Sequence, residues 1–400
     1  MFAVRAVAAL ALRRSVPAVG GDAIAGVCER LGGAYLKAGQ ILSTRVDLLS
    51  ADALAALVRL RESVRPLQFD SLRPALEPLE ENLDDERLEI EPTPLASATI
   101  AQVHFGTVLC TKKRVAIKIR RPGVDEILNA DVRHIQLFTA AIARLPWFRR
   151  FPMAEATSEV CAALLHQLDF GAEAVMLERF RVLFADNPRI KVPRVDLARC
   201  NGDVIVMEYL EGYQPFHEFH NQPDLAKSAV ETGLRALYKM IFCAGLIHCD
   251  LHPSNILCND DGQVALLDFG FVSEMTRKPK QDFAEFFLSI AFGDGKTAAR
   301  IVLETALRVG DKLDHVAFER DMQALIDKTA GRKAADFQVA SFVFELFQVQ
   351  RRHSIYGSPN FTLPILSLLT YEGLIKDLHP EIDFQQEAVP FVMSALAVRA

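Results

Sequence analysis

No stretch of this sequence approaches the roughly 20 consecutive apolar residues that a bilayer-spanning helix requires, so nothing in it reads as a membrane span. A basic surplus is missing too. With 45 Lys and Arg against 51 Asp and Glu the net charge is −6, which argues against a nucleic-acid binder held mainly through phosphate contacts. The pairs Arg13-Arg14, Arg120-Arg121, Arg149-Arg150 and Arg351-Arg352 are scattered and read mostly as solvated faces. The seven cysteines are odd in number and show no Cys-x-x-Cys spacing, which fits a reducing compartment. No second pair at zinc spacing supports a metal reading of His248 and His252. Internal repeats and low-complexity tracts are absent. The start, Met1 to Arg14, places Arg5 before the apolar run Ala6 to Leu12 but lacks a secretory cleavage site. It reads as a frayed terminus, as a short amphipathic helix lying on an anionic membrane, or, being acid-free, as part of a transit peptide.

What is present is a globular composition, 50% hydrophobic and 24% charged, long enough for two or three packed units. The stretch from Leu246 to Gly270 carries the chemistry. Asp250 is followed five residues later by Asn255, and after the apolar run Val264 to Leu267 comes Asp268-Phe269-Gly270. Phosphoryl transfer needs these types at these distances: one carboxylate to orient or deprotonate the attacking hydroxyl, then an amide oxygen and a further carboxylate to hold Mg²⁺ on the phosphates. A polar loop before an ordinary buried strand explains either half alone, but not their joint spacing. His248 reads as a hydrogen-bonding brace.

Upstream, the pattern from Ala23 to about Arg61 is helical. Within it, Lys37 and Gln40 are three apart and share a helix face, with Gly39 permitting close approach. Pro66 to Pro94 reads as a linker with one short helix. Two strands follow, Val103 to Leu109 and Arg114 to Ile119, joined by a turn at Cys110 to Lys113. Val115-Ala116-Ile117-Lys118 is patterned like a strand whose lysine holds ATP phosphates. The preceding segment would then cover nucleotide, and it carries Ala96, Ser97, Ala98 and Ala101 where glycines let the backbone approach phosphates. Methyl groups there predict a different seating or selectivity for the nucleotide.

A helix is expected from Val124 to Leu145, then another from Pro152 to about Ala185 with its apolar stripe at Val160, Leu164, Leu168, Val175 and Phe180. Asp169 and Glu173 lie four apart on it, a mildly repulsive arrangement unless a cation intervenes; Lys118 is the candidate for Glu173. Ile190 to Val195 and Asp203 to Met207 read as strands. Glu208-Tyr209-Leu210-Glu211-Gly212 reads as a hinge whose backbone holds adenine, and Leu225 to Ala244 as a buried helix. Beyond Gly270 the expectation is almost wholly helical: Lys278–Phe292, Lys296–Val309, Asp314–Lys328, Phe337–Arg352, Leu363–Leu378 and Phe384–Arg399, with core phenylalanines such as Phe283, Phe286, Phe287, Phe292, Phe342, Phe344 and Phe347.

These motifs together resemble the UbiB family of atypical kinase-like proteins (AarF-domain kinases), which is linked to ubiquinone and other prenyl-lipid metabolism. Leu36 to Arg45 looks like the family's Lys-x-Gly-Gln segment and Leu95 to His104 like its alanine-rich loop, a pair that ordinary protein kinases lack. The resemblance implies an α+β, two-lobed protein-kinase-like fold: residues 1–93 an N-terminal helical extension, 94–210 a lobe built on an antiparallel sheet with an inserted helix, and 211–400 a helical lobe. It implies ATP and Mg²⁺ as cofactors. Carried over by position, Lys118 holds phosphates and pairs with Glu173, Asp250 is the catalytic aspartate, and Asn255 and Asp268 bind the metal. Ala96, Ser97 and Ala98 cover nucleotide, Glu208 and Leu210 flank adenine, and Lys37 and Gln40 on the extension face the active site.

In the family that extension blocks the protein-substrate site. The resemblance therefore implies a kinase-like ATPase or phosphotransferase acting on, or stimulated by, a prenyl-lipid or quinone-precursor molecule rather than on proteins. Biosynthetic protein partners and a peripheral membrane contact fit that role; the location implied is cytoplasmic or at the inner membrane face, with organelle targeting open. The chain's end after Phe384–Val398 is too short to span a membrane, so a transmembrane tail like that of some members is expected to be missing. One departure concerns the family's Glu-x-Asp segment, which reads Gln167-Leu168-Asp169 here. Glutamine carries no charge, so an ion pair from Lys37 must fall on Asp169, and regulation by the extension should be weaker. Two other readings stand beside this one. One is a small-molecule phosphotransferase of the aminoglycoside or choline kinase kind, against which the Lys-x-Gly-Gln segment and alanine-rich loop argue. The other is a nucleotide-switched scaffold with little turnover.

Overall fold

The computed structural model describes residues 20–31, 65–80, 87–144, 153–328 and 338–397, with positions 35, 37–39, 56 and 57. The chain divides into two compact units. The first takes Met1–Arg179 and Pro193–Glu211, the second Phe180–Val192 and Gly212–Ala400.

Among the described residues the first unit opens with helix α1, Gly20–Leu31, and positions 35, 37–39, 56 and 57 are helical as well. Gln40 lies outside the described residues. Its sheet is antiparallel, in the order β1-β2-β3-β5: β1 is Leu88–Ser97, β2 Ala101–Val108, β3 Lys113–Arg120 and β5 Val204–Glu208. The intervening short strand, β4 (Ile190–Lys191), belongs to the second unit. Both Pro92 and Pro94 sit inside β1, an edge strand, where a missing N–H breaks no central ladder; the pairing with β2 shifts register on either side of Pro94.

Alternation along β3 sends Val115, Ile117 and Ile119 to one face, where they are buried with Val108, Val204 and Val206. Ala116 and Lys118 necessarily take the other. Leu72 and Leu76 complete this core, so the stretch read as a linker is in part a packed element. A 3-10 turn, Phe69–Leu72, runs into helix α2, Arg73–Glu80, and lays these leucines on the sheet. Two or three leucines at helical spacing suffice for one contact face, too few to register as periodicity.

Helix α3, Val124–Ala143, follows. The single helix expected over 152–185 is instead two, α4 (Met153–His166) and α5 (Phe170–Leu183), whose axes turn by 84° at the break. The turn is closed by the amides of Leu168 and Asp169 on the carbonyls of Leu165 and His166, and the Asp169 carboxylate then caps α5 through the Ala172 amide, at 2.9 Å. A local side-chain cap outcompeted helix continuation. Val175, assigned to the apolar stripe, is exposed.

In the second unit a four-stranded sheet runs β4-β9-β8-β6, with β6 at Gln214–Pro215, β8 at Ile256–Cys258 and β9 at Val264–Leu266. Helix α6, Pro223–Tyr238, continues into a π-helical turn, Lys239–Ala244, ended by Gly245 in the left-handed region at φ 69°. A Cβ there would stand 2.5 Å from the Met275 carbonyl oxygen, so glycine is required where the chain turns into strand β7, Leu246–His248. Strand β10, Val272–Glu274, pairs with β7.

The remaining helices are α7 (Arg277–Ala291), α8 (Gly295–Glu304), α9 (His315–Asp327), α10 (Val339–Arg352), α11 (Pro359–Leu378) and α12 (Phe384–Ala397). The helix expected to reach Val309 stops at Glu304. Residues Ala306–Val309 form β11, paired antiparallel with β12 at Ile355–Gly357, strands too short to show an alternating pattern. Phe283, Phe286, Phe342 and Phe347 are core residues, whereas Phe292, at the C-cap of α7, is 80% exposed.

Candidate functional site

In the first unit β3 presents Lys118 on the face away from the hydrophobic core, and α5 brings Glu173 to it. The Lys118 Nζ stands 2.7 and 2.9 Å from the two Glu173 carboxylate oxygens. The side chains are 13% and 4% exposed, so this is a buried ion pair, and the ammonium also lies 5.3 Å from the centre of the Phe170 ring. Glu173 occupies the first turn of α5, where the helix dipole favours a carboxylate, and its amide donates to the Asp169 carbonyl. Phe170 was not singled out from the sequence. It follows the capping Asp169 directly, so the cap that starts the helix also fixes the ring beneath the lysine.

Ala96 and Ser97 end β1; Ala98 opens the turn to β2, closed by the Ala98 amide on the Ala101 carbonyl at 2.9 Å. In the segment from Glu208 to Leu210 the Glu208 amide is held by the Arg194 carbonyl, and the Tyr209 amide by that of Arg114. Leu210 is half-buried, and its amide is the first in the segment that no described carbonyl takes. Lys37 is half-buried on a helical turn with Ala38 and Gly39 buried beside it. Gln167 is half-buried in the α4–α5 turn, where Asp169 is exposed.

The second unit gathers Asp250, Asn255 and Asp268. Fully buried His248 ties the two loops together. Its Nδ1 accepts from the Asp250 amide at 3.1 Å, which leaves Nε2 to carry the proton and donate to the Leu267 carbonyl at 2.9 Å. That makes the ring a neutral imidazole, and burial pushes its pKa below the ordinary histidine value, against the opposing pull of the Leu267 carbonyl and Asp250. The Leu267 amide donates in turn to the Asn255 carbonyl at 2.9 Å. Phe269, buried against His248 at 5.0 Å and Phe180 at 4.6 Å, anchors the residue after Asp268. Asp268 itself is exposed, in the left-handed region at φ 57°, with the Gly270 amide 3.4 Å from its Oδ1. Neighbouring Cys249 is no nucleophile: burial pushes its thiol up to about 12.

Chemically, the donors suit Mg²⁺. The Asn255 amide nitrogen donates to the Asp250 carbonyl at 3.0 Å, so the other polar atom of the carboxamide, its oxygen, is the one left for a hard cation. Among the described residues no group of three or more His, Cys, Asp or Glu could cage a metal. One carboxylate and one amide oxygen are a typical protein share for Mg²⁺, which completes its shell with phosphate oxygens and water. The Asp250 carboxylate has the His252 Nε2 at 3.8 Å, both partly exposed.

Residues 59–302 match the ABC1 atypical kinase-like domain, and residues 322–383 match the UbiB helical domain. The chain belongs to the ABC1/UbiB family of atypical kinase-like proteins. A probable protein kinase UbiB of Shewanella piezotolerans is 30% identical over 395 residues, covering 95% of this chain and 70% of the relative. Another from Aeromonas salmonicida is 29% identical, covering 91% and 68%. Among solved structures, Rv3197 of Mycobacterium tuberculosis, in complex with erythromycin, superposes with a TM-score of 0.51 at 21% identity, over 79% of this chain and 84% of that one. That likeness bears on the kinase-like, α+β fold alone. Among the described residues no single helix is long and apolar enough to cross a membrane.

Proposed function

We propose that this ABC1/UbiB protein is an Mg²⁺/ATP-dependent ATPase or phosphotransferase serving prenyl-lipid metabolism, with a quinone-type precursor as its acceptor or activator. The observation that supports this reading is the frame built by His248: it ties Asp250 and Asn255 through hydrogen bonds to Leu267, the residue directly before Asp268. The ion-paired Lys118 supplies the phosphate-binding cation.

In this reading Asp250 orients the attacking hydroxyl or water and accepts its proton as the new bond to the γ-phosphorus forms and the bond from that phosphorus to the bridging oxygen breaks, ADP leaving with the electron pair. Lys118, held in one direction by Glu173, aims its ammonium at phosphate oxygens. Ala96, Ser97 and Ala98 cover the nucleotide, and the backbone from Glu208 to Leu210 receives adenine. Mg²⁺, when bound by Asn255 and Asp268, neutralises charge on the phosphates. Residues 1–93 act as a regulatory extension through Lys37 and Gln40, with Gln167 weakening their hold; Gln167→Glu should lower turnover, and equal rates would count against it. A peripheral membrane contact fits this role.

The test is phosphate release from Mg²⁺/ATP by the purified full chain, with and without anionic vesicles carrying a quinone-precursor mimic. Release that rises with the lipid and vanishes in Asp268→Asn supports the reading. Nucleotide binding without release under any lipid condition replaces it with a nucleotide-switched scaffold.

A further inference from the structure

Arg121 stands one residue beyond β3, and its own amide is fixed to the Ile100 carbonyl at 2.9 Å, beside the alanine-rich turn. Its guanidinium reaches back across the hairpin. The Nη2 nitrogen donates to the Ser97 hydroxyl oxygen at 2.6 Å and to the Arg65 carbonyl at 3.0 Å, which uses both of its hydrogens. The Nε is buried and has no hydrogen-bond partner, and no ion pair to a described carboxylate accompanies it. Burial alone pulls the guanidinium's pKa down. Holding a half-buried arginine here therefore costs desolvation that no acidic group offsets. A neutral side chain could pack this corner with less cost, so its donors and charge are what the site uses.

A guanidinium can only donate. The Ser97 oxygen bonded to it must accept, and the hydroxyl hydrogen is then turned away from Arg121, toward the turn's surroundings. A hydroxyl whose lone pair is drawn by a cation is also a stronger donor. We infer that Arg121 is a positioning residue that sets Ser97 as a dedicated hydrogen-bond donor to a nucleotide phosphate at the alanine-rich loop, in place of the backbone approach that glycines provide in other nucleotide-covering loops. The link to Arg65 adds a second role: the same nitrogen ties the end of the N-terminal segment to that donor. The inference rests on the nucleotide reading above.

The experiment is a double-mutant cycle on the equilibrium dissociation constant for Mg²⁺ with a non-hydrolysable ATP analogue, using the full chain, Ser97→Ala, Arg121→Met, and both together. Arg121→Lys, which keeps a donor-only cation, is the rescue. Ser97→Ala and Arg121→Met each weaken binding about tenfold, the size of one charge-assisted hydrogen bond. The double variant is no weaker than Ser97→Ala, and Arg121→Lys recovers most of the loss. Thermal midpoints are read alongside, because loss of the Arg65 link lowers stability equally in both backgrounds and cannot produce this coupling. Losses that multiply to about a hundredfold, or an Arg121→Met variant that binds as well as the parent, overturn the inference and leave the nucleotide reading standing. A parent chain that does not bind the analogue overturns both.

Discussion

Asp169-Phe170-Gly171 and Asp268-Phe269-Gly270 are the same three residues in the same order, placed in different units of the chain. In the first, the aspartate caps α5 with its side chain, and the buried phenylalanine lies under the Lys118 ammonium. In the second, the aspartate is exposed at a positive φ just after β9, and the buried phenylalanine packs on His248 and Phe180. What separates them is the element that follows each. Helix α5 starts directly after Asp169 and offers its free first-turn amides, of which Ala172 donates to the carboxylate; after Asp268 the chain runs into strand β10 and the carboxylate stays exposed.

The comparison can be broken or sharpened by experiment. Phe170→Ala and Phe269→Ala should each cost about 3–5 kcal/mol of unfolding free energy, since both rings are fully buried. Chemical denaturation would show it, and a small cost at either site would mean that its triplet is not anchored as described. Lys118→Ala should destabilise the first unit to a similar degree, about 3–5 kcal/mol, by taking the ammonium away from the buried Glu173 carboxylate.

Only the second triplet should feel acid through His248. Folding lowers that imidazole's pKa, so on acidification the unfolded chain takes up a proton before the folded one does. This contribution is fully present above the ordinary histidine value of 6.5 and is lost as the pH falls from there toward the depressed folded value. Denaturation curves across that window should steepen by up to about 1.4 kcal/mol per pH unit relative to His248→Asn. A matching slope in the variant would remove His248 from the account.

Smaller effects separate the two aspartates' surroundings. Asp169→Ala should cost roughly 1 kcal/mol and Asp169→Asn much less, because asparagine also caps. Gly171→Ala should be neutral or stabilise by up to about 1 kcal/mol, since an added Cβ meets only the Asp169 Oδ1 at an ordinary 3.4 Å.

Much of the site was readable because its signals are local. The five-residue step from Asp250 to Asn255, the apolar run before Asp268 and the two-residue alternation around Lys118 each follow from backbone geometry that neighbouring residues set. The break at Gln167–Asp169 was not readable, because Val160, Leu164, Leu168 and Phe180 are all buried and a stripe of buried residues passes through a bend unchanged. The link from Arg121 to Ser97 needs the β1–β2–β3 register, and that register depends on bulges around Pro94 that no local pattern announces. The β11–β12 pair was missed for the same reason, as a pairing of four residues with three from a distant segment.

The most direct test sets the two aspartates side by side: phosphate release from Mg²⁺/ATP, with quinone-mimic vesicles present, by the parent chain, Asp268→Asn and Asp169→Asn. Asparagine tolerates the left-handed conformation at 268 and the cap at 169, so neither variant should lose its fold. The account predicts that release vanishes in Asp268→Asn at an unchanged thermal midpoint and persists in Asp169→Asn. Undiminished release from Asp268→Asn would contradict it.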